Sequence, residues 1–344
     1  MWSSSVSDES AEGPCRGDLR AYFADGTRPA DPFSGPIDLA VGMFDGVHRG
    51  HQRVISGAKE LARAHRRHAG VLTFDPHPSR VVHPESATRL LYPLSRRLEL
   101  LLGLGVDFVL VQKFTPGYAK RTAESFAAHL RRCLPGLASL HVGENFRFGA
   151  GRKGDVRLLR DTAAALGIEV HALARQLTEG EAISSSRIRK LVEEGEMEEA
   201  RHLLGRPYTM RGKVVPGRRL GREIGFPTLN IPYEPETVPR FGVYFAGLLA
   251  ADGTTVLPAV ANYGRKPTVE KESAPLLEVH LLAASGDGQP GEGDELCVLL
   301  LDFLRPEKAF ADVRALREQI ARDVARARRL ADERRHLRAT ETMP

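Results

Sequence analysis

The order of apolar and polar positions divides this sequence into two regions with different periodicities. From residue 37 to about residue 205, short apolar runs alternate with stretches whose apolar residues recur every three or four positions. This alternation predicts an α/β region in which a mostly parallel sheet carries helices on both faces. The predicted strands are residues 37–43, 70–74, 106–112, 140–142 and 169–173, and the predicted helices are residues 52–65, 95–103, 123–132, 156–166 and 186–204.

A different pattern begins after Gly205, which is followed by Arg206 and Pro207 and therefore indicates the end of a helix. We place the boundary between two domains, residues 37–205 and 206–331, at this point. The second domain contains short β-like runs separated by Gly, Pro and Asp, which predicts a small antiparallel barrel. Its predicted strands are residues 208–215, 242–249, 256–262, 277–282 and 295–301, and a helix over residues 306–331 closes it.

Composition and charge limit the classes of ligand and partner that we expect, and they bear on the cellular compartment. The 344 residues carry a net charge of +5, which suits phosphorylated ligands; we expect no nucleic-acid partner, although charge alone leaves RNA or DNA contact open. The widely spaced Cys15, Cys133 and Cys297 predict neither a disulfide framework nor a zinc site, and they indicate a reducing compartment. No signal-peptide core or membrane-length apolar segment is present. We therefore expect a cytoplasmic protein without a membrane partner, with a disordered extension at residues 1–36 and a charged tail at residues 332–344.

The most informative motif spans residues 42–51, where Gly-Met-Phe-Asp-Gly-Val-His-Arg-Gly-His joins a predicted strand to a predicted helix. The first N–H groups of a helix lack partners inside the helix, so such a turn is suited to bind phosphate. Gly46 and Gly50 allow a close approach of the backbone, and the imidazoles of His48 and His51 can donate to phosphate oxygens. The spacing matches neither the dinucleotide fingerprint nor a Walker A loop. The alternative is an ordinary strand–turn–helix unit with two surface histidines.

Three further polar segments are expected at the crevice where an open parallel sheet binds ligands. Asp75 and His77, in Thr-Phe-Asp-Pro-His-Pro, are candidate metal ligands or belong to a turn that is stiffened by proline. The loop at residues 143–149, Gly-Glu-Asn-Phe-Arg-Phe-Gly, offers an amide and aromatic rings, or is a basic surface turn. Residues 184–189, Ser-Ser-Ser-Arg-Ile-Arg, form a second phosphate cradle or simply cap a helix.

The order of these motifs resembles that of the prokaryotic bifunctional riboflavin kinase/FAD synthetase family. The first half is similar to the FMN adenylyltransferase of that family, which implies a Rossmann-like nucleotidylyltransferase fold. The resemblance implies that His48, His51 and Asn145 act in catalysis, and that Asp75 and Pro76 lie at the flavin substrate. The residues implied to bind ATP or its phosphates are Gly42, Phe44, Asp45, Gly46, Gly50, Ser184, Ser185, Ser186 and Arg189.

The second half is similar to the riboflavin kinase of the same family, which implies a barrel with a terminal helix. Glu278, in Leu-Glu-Val-His, is implied to be catalytic, and Asp-Phe-Leu-Arg-Pro-Glu at residues 302–307 matches the segment before the last helix. Leu229 replaces the usual alanine of the Pro-Thr-Ala-Asn motif, and residues 283–294 also depart from the family pattern. The remaining implied residues are Gly217, Gly221 and Gly225 for ATP, Thr228 and Asn230 for a metal, and Asn262 for the flavin substrate.

The resemblance implies that riboflavin is phosphorylated to FMN, and that FMN is adenylylated to FAD with release of pyrophosphate, with ATP and Mg²⁺ at both sites. The first reaction must deprotonate an alcohol, and Glu278 is the candidate base, unless it is a structural carboxylate that pairs with an arginine. The second has an ionised phosphate as nucleophile, so positioning and hydrogen-bond donors suffice. Two alternatives stay open: a monofunctional FAD synthetase with an inactive flavin-binding kinase-like domain, and a non-catalytic flavin-sensing or RNA-binding regulator. The oligomeric state stays open as well.

Overall fold

The computed structural model describes residues 7–10, 19–23, 35–178, 180–217, 220–250, 252–265, 274–282 and 290–334. Contacts between residues divide the chain into two compact units, with the division between Ser185 and Ser186. We call these the N-terminal unit and the C-terminal unit. Residues 186–205, which the sequence analysis assigns to the first domain, group with the C-terminal unit. The domain boundary at residue 205 stays a prediction.

A mixed seven-stranded sheet forms the centre of the N-terminal unit. Its strands are β1 (Ser7–Ser10), β2 (Leu19–Phe23), β3 (Ile37–Val41), β4 (His68–Asp75), β5 (Phe108–Lys113), β6 (Leu137–Gly143) and β7 (Glu169–Leu173). They lie in the order β1-β2-β5-β4-β3-β6-β7. The five strands from β5 to β7 are parallel, as the sequence predicts, whereas β1 and β2 are antiparallel. Two short strands, β8 (Leu177–Thr178) and β9 (Glu181–Ala182), pair with each other outside this sheet.

Helices follow the parallel strands and cover the sheet. They are α1 (Arg49–His65), α2 (Pro78–Val82), α3 (Leu94–Gly103), α4 (Pro116–Ala119), α5 (Ser125–Cys133) and α6 (Val156–Ala164). In α1 the buried residues include Val54, Ile55, Ala58 and Ala62, which share one face of the helix. α1 begins three residues before the predicted start because the side chain of His48 caps its first turn.

The disorder expected for residues 1–36 is wrong for Ser7–Ser10, which is β1, and for Leu19–Phe23. The latter segment is β2, which pairs with β5 and buries Leu19, Ala21 and Phe23 in the core of the unit. Five residues with this alternation give a weak strand signal, and the pairing with β5 decides the outcome. Most of residues 1–34 lie outside the described residues. The same holds for residues 335–344, whereas the helix expected to end near residue 331 continues to Glu333.

A six-stranded antiparallel sheet forms a nearly closed barrel in the C-terminal unit. Its strands are β10 (Tyr208–Lys213), β11 (Leu229–Pro232), β12 (Gly242–Leu249), β13 (Val256–Gly264), β14 (Leu276–Leu281) and β15 (Glu295–Arg305). They lie in the order β10-β15-β12-β13-β14-β11. The Val215 N–H donates to the Asn230 carbonyl over 2.8 Å, which joins the chain after β10 to β11. The sequence analysis missed β11, because its four residues end at a proline.

The helices that group with this unit are α7 (Ser185–Glu194), α8 (Met197–Leu204), α9 (Leu220–Glu223) and α10 (Val313–Glu333). The single helix predicted over residues 186–204 is wrong, because Gly195 has a φ angle of 83° and separates α7 from α8. The closing helix begins at Val313 instead of residue 306, because the Asp312 carboxylate caps it by accepting from the Ala315 N–H over 2.7 Å. Arg305 joins β15 to α10 through an ion pair of 2.8 Å with Asp323.

The cysteines depart from expectation. Cys297 is a buried free thiol, but Cys133 at the end of α5 is disulfide-bonded. Pairing depends on the distance between two cysteines in the fold, which sequence spacing does not give. Cysteine usage therefore no longer supports a reducing compartment, and the cytoplasmic location stays a prediction.

A chain of polar groups lies within the parallel sheet, under α1. The fully buried Asp38 of β3 pairs with Arg67 over 3.3 Å and accepts a hydrogen bond of 2.6 Å from the Ser139 hydroxyl. Ser139 Oγ lies 3.0 Å from His141 Nε2, and the His141 ring stacks on that of His171 in β7. Burial lowers the pKa of His141 from 6.5 to about 4; the neighbouring His171 adds to this effect, whereas Asp38 opposes it.

We expect acidification to destabilise the protein through His141. A histidine that titrates near 6.5 when unfolded and near 4 when folded gives stability that is present above pH 6.5 and is lost as the pH falls toward 4. From pH 7.5 to pH 4.5 the expected loss is about 2.5 kcal/mol. Urea unfolding at both pH values measures it, with His141→Gln as the variant that removes the effect and exposed His65→Gln as the control. Equal pH dependence in the wild type and His141→Gln would contradict this assignment.

Candidate active sites

The loop between β3 and α1 has an unusual backbone conformation. Phe44, Gly46 and Val47 have positive φ angles of 50°, 79° and 44°. Residues with side chains rarely adopt positive φ, and backbone strain of this kind is concentrated at ligand sites. The Val47 N–H donates to the Phe44 carbonyl over 3.1 Å, which closes the turn just before α1 begins. The loop therefore presents its backbone at the N-terminus of a 17-residue helix.

Two imidazoles stack at the first turn of α1. His48 Nδ1 accepts a hydrogen bond of 3.3 Å from the His51 N–H, so a neutral His48 carries its proton on Nε2. The two ring centroids lie 3.5 Å apart, and the Phe44 ring meets His51 edge-on at 5.3 Å. Gly50 leaves room for this stack, because a Cβ there would lie 3.2 Å from the His48 ring. Since His48 is buried and His51 is half-buried, His51 is the more accessible of the two.

Buried charges hold this loop in place. The Asp45 carboxylate accepts a hydrogen bond of 3.0 Å from the Leu91 N–H, and is therefore directed toward the backbone. Arg97 of α3 is fully buried and donates to the Met43 carbonyl over 3.0 Å. The same guanidinium lies 3.6 Å from the Asp75 carboxylate at the end of β4. Sequence reasoning missed Arg97, because it belongs to no motif and only the fold places it between two loops.

The predicted residues of the first site lie at one edge of the sheet. β3 has β4 on one side and β6 on the other, so the loops that follow these three strands leave the same edge. These loops carry the histidines, Asp75 with the cis-bonded Pro76, and the exposed Asn145. Gly42 begins the first loop, and a Cβ there would lie 3.0 Å from the Phe44 ring. Because the chain changes direction across the sheet between β3 and β6, this edge is where open α/β sheets bind ligands.

The serine-rich segment lies across the division between the two units. The Ser185 hydroxyl donates to the Asp45 carbonyl over 2.9 Å, which joins the start of α7 to the β3–α1 loop. Ser184 precedes it and is half-buried. Ser186 and Arg189 group with the C-terminal unit, where the Arg189 guanidinium donates to Ser186 Oγ over 2.9 Å. Ser185 therefore contacts the first site.

In the barrel, three polar residues form one cross-strand row. Glu278 of β14 is paired with Asn230 of β11 on one side and with Asn262 of β13 on the other. Directly paired residues point to the same face of a sheet, with Cβ atoms about 5 Å apart. Asn230 is buried, whereas Glu278 and Asn262 are half-buried. A carboxylate flanked by two amides is thus held on rigid strands, where it can act on a bound substrate.

The glycine-rich segment packs against this row. Gly217 contacts the Asn230 side-chain amide so closely that no Cβ fits between them. Gly221 accepts a hydrogen bond of 2.7 Å from the Phe226 N–H, and a Cβ on Gly221 would lie 3.4 Å from Thr228 Oγ1. Gly225 has a φ angle of 87° and completes the turn. The structure therefore brings Thr228 and Asn230 together with the glycines.

Glu307 is a further member of this site. It ends the Asp-Phe-Leu-Arg-Pro-Glu motif at residues 302–307, and the sequence alone assigns no role to it. Its carboxylate packs on Gly264 so closely that no Cβ fits there, and it accepts a hydrogen bond from Asn262. Burial raises the pKa of Glu307; Asn262 and Arg305 oppose the shift, and the negative charge of Glu278 adds to it. A carboxyl whose pKa is raised by burial and by a neighbouring negative charge is typical of active sites. Only the tertiary contact with Gly264 reveals Glu307.

The donor set in the barrel fits magnesium. Mg²⁺ takes few protein oxygens and completes its shell with phosphate and water. Thr228 offers an exposed hydroxyl. The Asn230 amide packs directly against Gly217, in space that a Cβ on residue 217 would fill, and this contact fixes the position of the amide. Within the described residues no three His, Cys, Asp or Glu side chains form a metal cluster.

Comparison with known proteins extends this picture to the whole chain. The FAD synthetase family model matches residues 33–187, and the riboflavin kinase family model matches residues 204–331. A bifunctional riboflavin kinase/FMN adenylyltransferase of Escherichia coli K12 is 38% identical over 84% of this chain and 91% of its own length. The chain belongs to the bifunctional riboflavin kinase/FMN adenylyltransferase family. Both domains of that family are present, and each contains one of the two sites described above.

Other similar proteins match this chain over a comparable share of its length. The bifunctional riboflavin kinase/FMN adenylyltransferase of Listeria monocytogenes is 37% identical over 83% of this chain and 89% of its own length. A crystal structure from Streptococcus pneumoniae, titled a macrolide-efflux protein, is 28% identical and superposes with a TM-score of 0.76, covering 86% of this chain and 94% of that one. Separately, no helix in the part of this chain that the structure describes is both long and apolar enough to cross a membrane.

Proposed function

We propose that this chain is an enzyme that phosphorylates riboflavin to FMN and adenylylates FMN to FAD, using ATP at both sites. The observation that carries the proposal is the presence of two unlike sites in one chain. One has stacked imidazoles at a helix N-terminus and the other has a carboxylate between two amides. The first suits transfer from an ionised phosphate, and the second suits deprotonation of an alcohol.

In the kinase reaction, the 5′-hydroxyl of riboflavin attacks the γ-phosphorus of ATP, the bond between that phosphorus and the β–γ bridging oxygen breaks, and ADP leaves. Glu278 takes the hydroxyl proton, while Asn262 and Glu307 hold the flavin side of the site and position Glu278. The glycines of residues 217–225 let the backbone approach the phosphates closely. Thr228 and Asn230 would hold Mg²⁺, which when bound neutralises charge on the phosphates.

In the adenylyl transfer, the phosphate of FMN attacks the α-phosphorus of ATP and pyrophosphate leaves. His48 and His51 donate to the ATP phosphates, and Asn145 orients them. Ser184, Ser185, Ser186 and Arg189 contribute donors on the phosphate side, and Asp75 with Pro76 lies beside the flavin. Asp45 acts by positioning the loop, since its carboxylate binds a backbone N–H. No general base is required, because the attacking phosphate is already ionised near neutral pH.

Product analysis tests the proposal. The purified protein is mixed with MgATP and riboflavin, and separately with MgATP and FMN, and the flavins are separated by chromatography. We expect FMN followed by FAD in the first reaction and FAD in the second. FAD from FMN without FMN from riboflavin would overturn the kinase assignment and favour a monofunctional FAD synthetase. Binding of flavin without any product would favour a regulator.

We expect Gly264→Ala to impair the kinase while leaving the adenylyltransferase unchanged. The new Cβ occupies the place of the Glu307 carboxylate, which is the flexible end of a side chain and is displaced while the fold persists. Losing this contact should lower kcat/KM for riboflavin roughly tenfold, comparable to about 1.4 kcal/mol. Gly291→Ala is the matched control, because a Cβ there meets no atom within 4 Å. An unchanged kcat/KM in Gly264→Ala would remove Glu307 from the site.

A further inference from the structure

The Leu-Glu-Val-His motif of β14 ends in a histidine to which the two proposed reactions assign no role. Glu278 and His280 are two residues apart in a strand whose register with β13 is regular, so both side chains lie on the same face of the barrel sheet. On the other side of β14, Leu229 pairs with Val279, and this antiparallel register brings the preceding residue, Thr228, level with His280. His280 therefore lies beside the candidate magnesium ligand, two residues along the strand from the candidate base.

The imidazole of His280 binds the segment that precedes Thr228. His280 Nδ1 lies 2.9 Å from the Pro227 carbonyl oxygen. A carbonyl oxygen can only accept a hydrogen bond, so Nδ1 carries a proton and donates. The same ring meets the Phe226 ring edge-on, with 5.4 Å between the centroids and 79° between the ring planes. One side chain of β14 thus contacts both residues that lead into Thr228.

The hydrogen bonds of the glycine-rich segment close its turn but do not attach that turn to β14. The Phe226 N–H donates to the Gly221 carbonyl over 2.7 Å, and the Gly225 N–H donates to the Arg222 carbonyl over 3.2 Å. Pro227 is exposed and has no N–H to donate to a neighbouring strand, so its carbonyl is the hydrogen-bonding group of its backbone. The bond from His280 uses this carbonyl, and it fastens the end of the turn to a rigid strand.

We propose that His280 is a positioning residue of the kinase, which holds the glycine-rich segment against β14 and so sets the place of the Thr228 hydroxyl. The Pro227 carbonyl belongs to the planar peptide group that joins Pro227 to Thr228, so fixing this oxygen fixes the plane from which Thr228 continues. The consequence for phosphate binding rests on the kinase function proposed above, whereas the contact between His280 and Pro227 does not.

Amide hydrogen exchange tests the contact on the full chain without nucleotide. The protein is labelled with ¹⁵N at phenylalanine and followed by NMR, and the Phe226 signal is assigned by its loss in Phe226→Leu. His280→Leu keeps an apolar side chain of similar size but loses the donor, whereas His280→Asn keeps an N–H donor near the place of Nδ1. We expect the Phe226 N–H to exchange roughly two- to tenfold faster in His280→Leu, the effect of losing one hydrogen bond, and at nearly the wild-type rate in His280→Asn. The other phenylalanine signals report whether each variant stays folded.

Steady-state kinetics of FMN formation tests the consequence. Because a released segment spends part of its time away from the position that binds phosphate, KM for MgATP should rise roughly two- to tenfold in His280→Leu, while kcat and KM for riboflavin change little. His280→Asn should restore KM for MgATP, and FAD formation from FMN should be unchanged in both variants. His202→Leu makes the same change at an exposed position in α8, and as the matched control it should leave exchange and kinetics at wild-type values.

Three results would overturn the proposal: an unchanged exchange rate of Phe226 in His280→Leu, equally fast exchange in His280→Asn, or faster exchange with an unchanged KM for MgATP. The last would leave His280 as a structural contact only. If the wild-type protein formed no FMN, the proposed kinase function would fail, and the exchange rates would still decide whether His280 holds the segment.

Discussion

Glu278→Gln is expected to lower the rate of FMN formation from riboflavin by about 10²–10⁴-fold, the usual contribution of a general base. The variant keeps the size and hydrogen-bonding shape of the side chain, so the row with Asn230 and Asn262 should persist. What it loses is the ability to take the proton of the attacking hydroxyl. Because the defect lies in the chemical step, kcat should fall while KM for riboflavin changes little. Steady-state kinetics with riboflavin and MgATP measures both.

Two controls keep this prediction specific. FAD formation from FMN should stay at the wild-type rate, because that reaction belongs to the N-terminal unit. Glu295→Gln makes the same chemical change at an exposed position in β15 and should leave both activities unchanged. Wild-type FMN formation in Glu278→Gln would show that Glu278 is a structural carboxylate. Equal loss of both activities would contradict two independent sites.

The sequence predicts the main elements of both units because their hydrophobic patterns are strong. The parallel strands around β3 are buried on both faces, so they appear as apolar runs that need no partner to be recognised. The strand Gly242–Leu249 is predicted with the bounds that the structure gives, because it is almost wholly buried. Elements without such a pattern depend on tertiary pairing, and β2 and β11 were missed for that reason.

The residues of the candidate sites also fall into two groups, those that the sequence identifies and those that only the fold identifies. Local sequence motifs identify the candidate ligand-binding residues at strand ends and helix starts, such as His48 and Thr228, because the local backbone geometry decides what these residues can bind. The residues that hold the motif loops in position lie outside the motifs. Arg97 lies 54 residues from the Met43 carbonyl that it binds, and Glu307 reaches Gly264 from after β15. Such partners are set by packing, so neither spacing nor composition points to them.

His51→Ala is expected to slow FAD formation from FMN by a hundredfold or more, whereas FMN formation from riboflavin should change little. A single donor to a developing oxyanion is worth about 10²–10³ in rate. His51 is the more accessible imidazole of the stacked pair, and its ring also packs on His48 and Phe44. Replacement by alanine therefore removes a phosphate donor, and it also removes the ring that packs against one face of the His48 imidazole. Pyrophosphate release from FMN and MgATP gives the rate.

A second variant separates the donor from the packing. His51→Gln keeps an N–H donor on a flexible side chain, so its FAD-forming rate should lie between those of the wild type and His51→Ala. His65→Ala removes an exposed histidine at the other end of the same helix and should leave the rate unchanged. If His51→Ala formed FAD at the wild-type rate, the stacked histidines would be a helix cap rather than a phosphate site. If it lost FMN formation equally, the defect would lie in folding, because the barrel row contains no residue of α1.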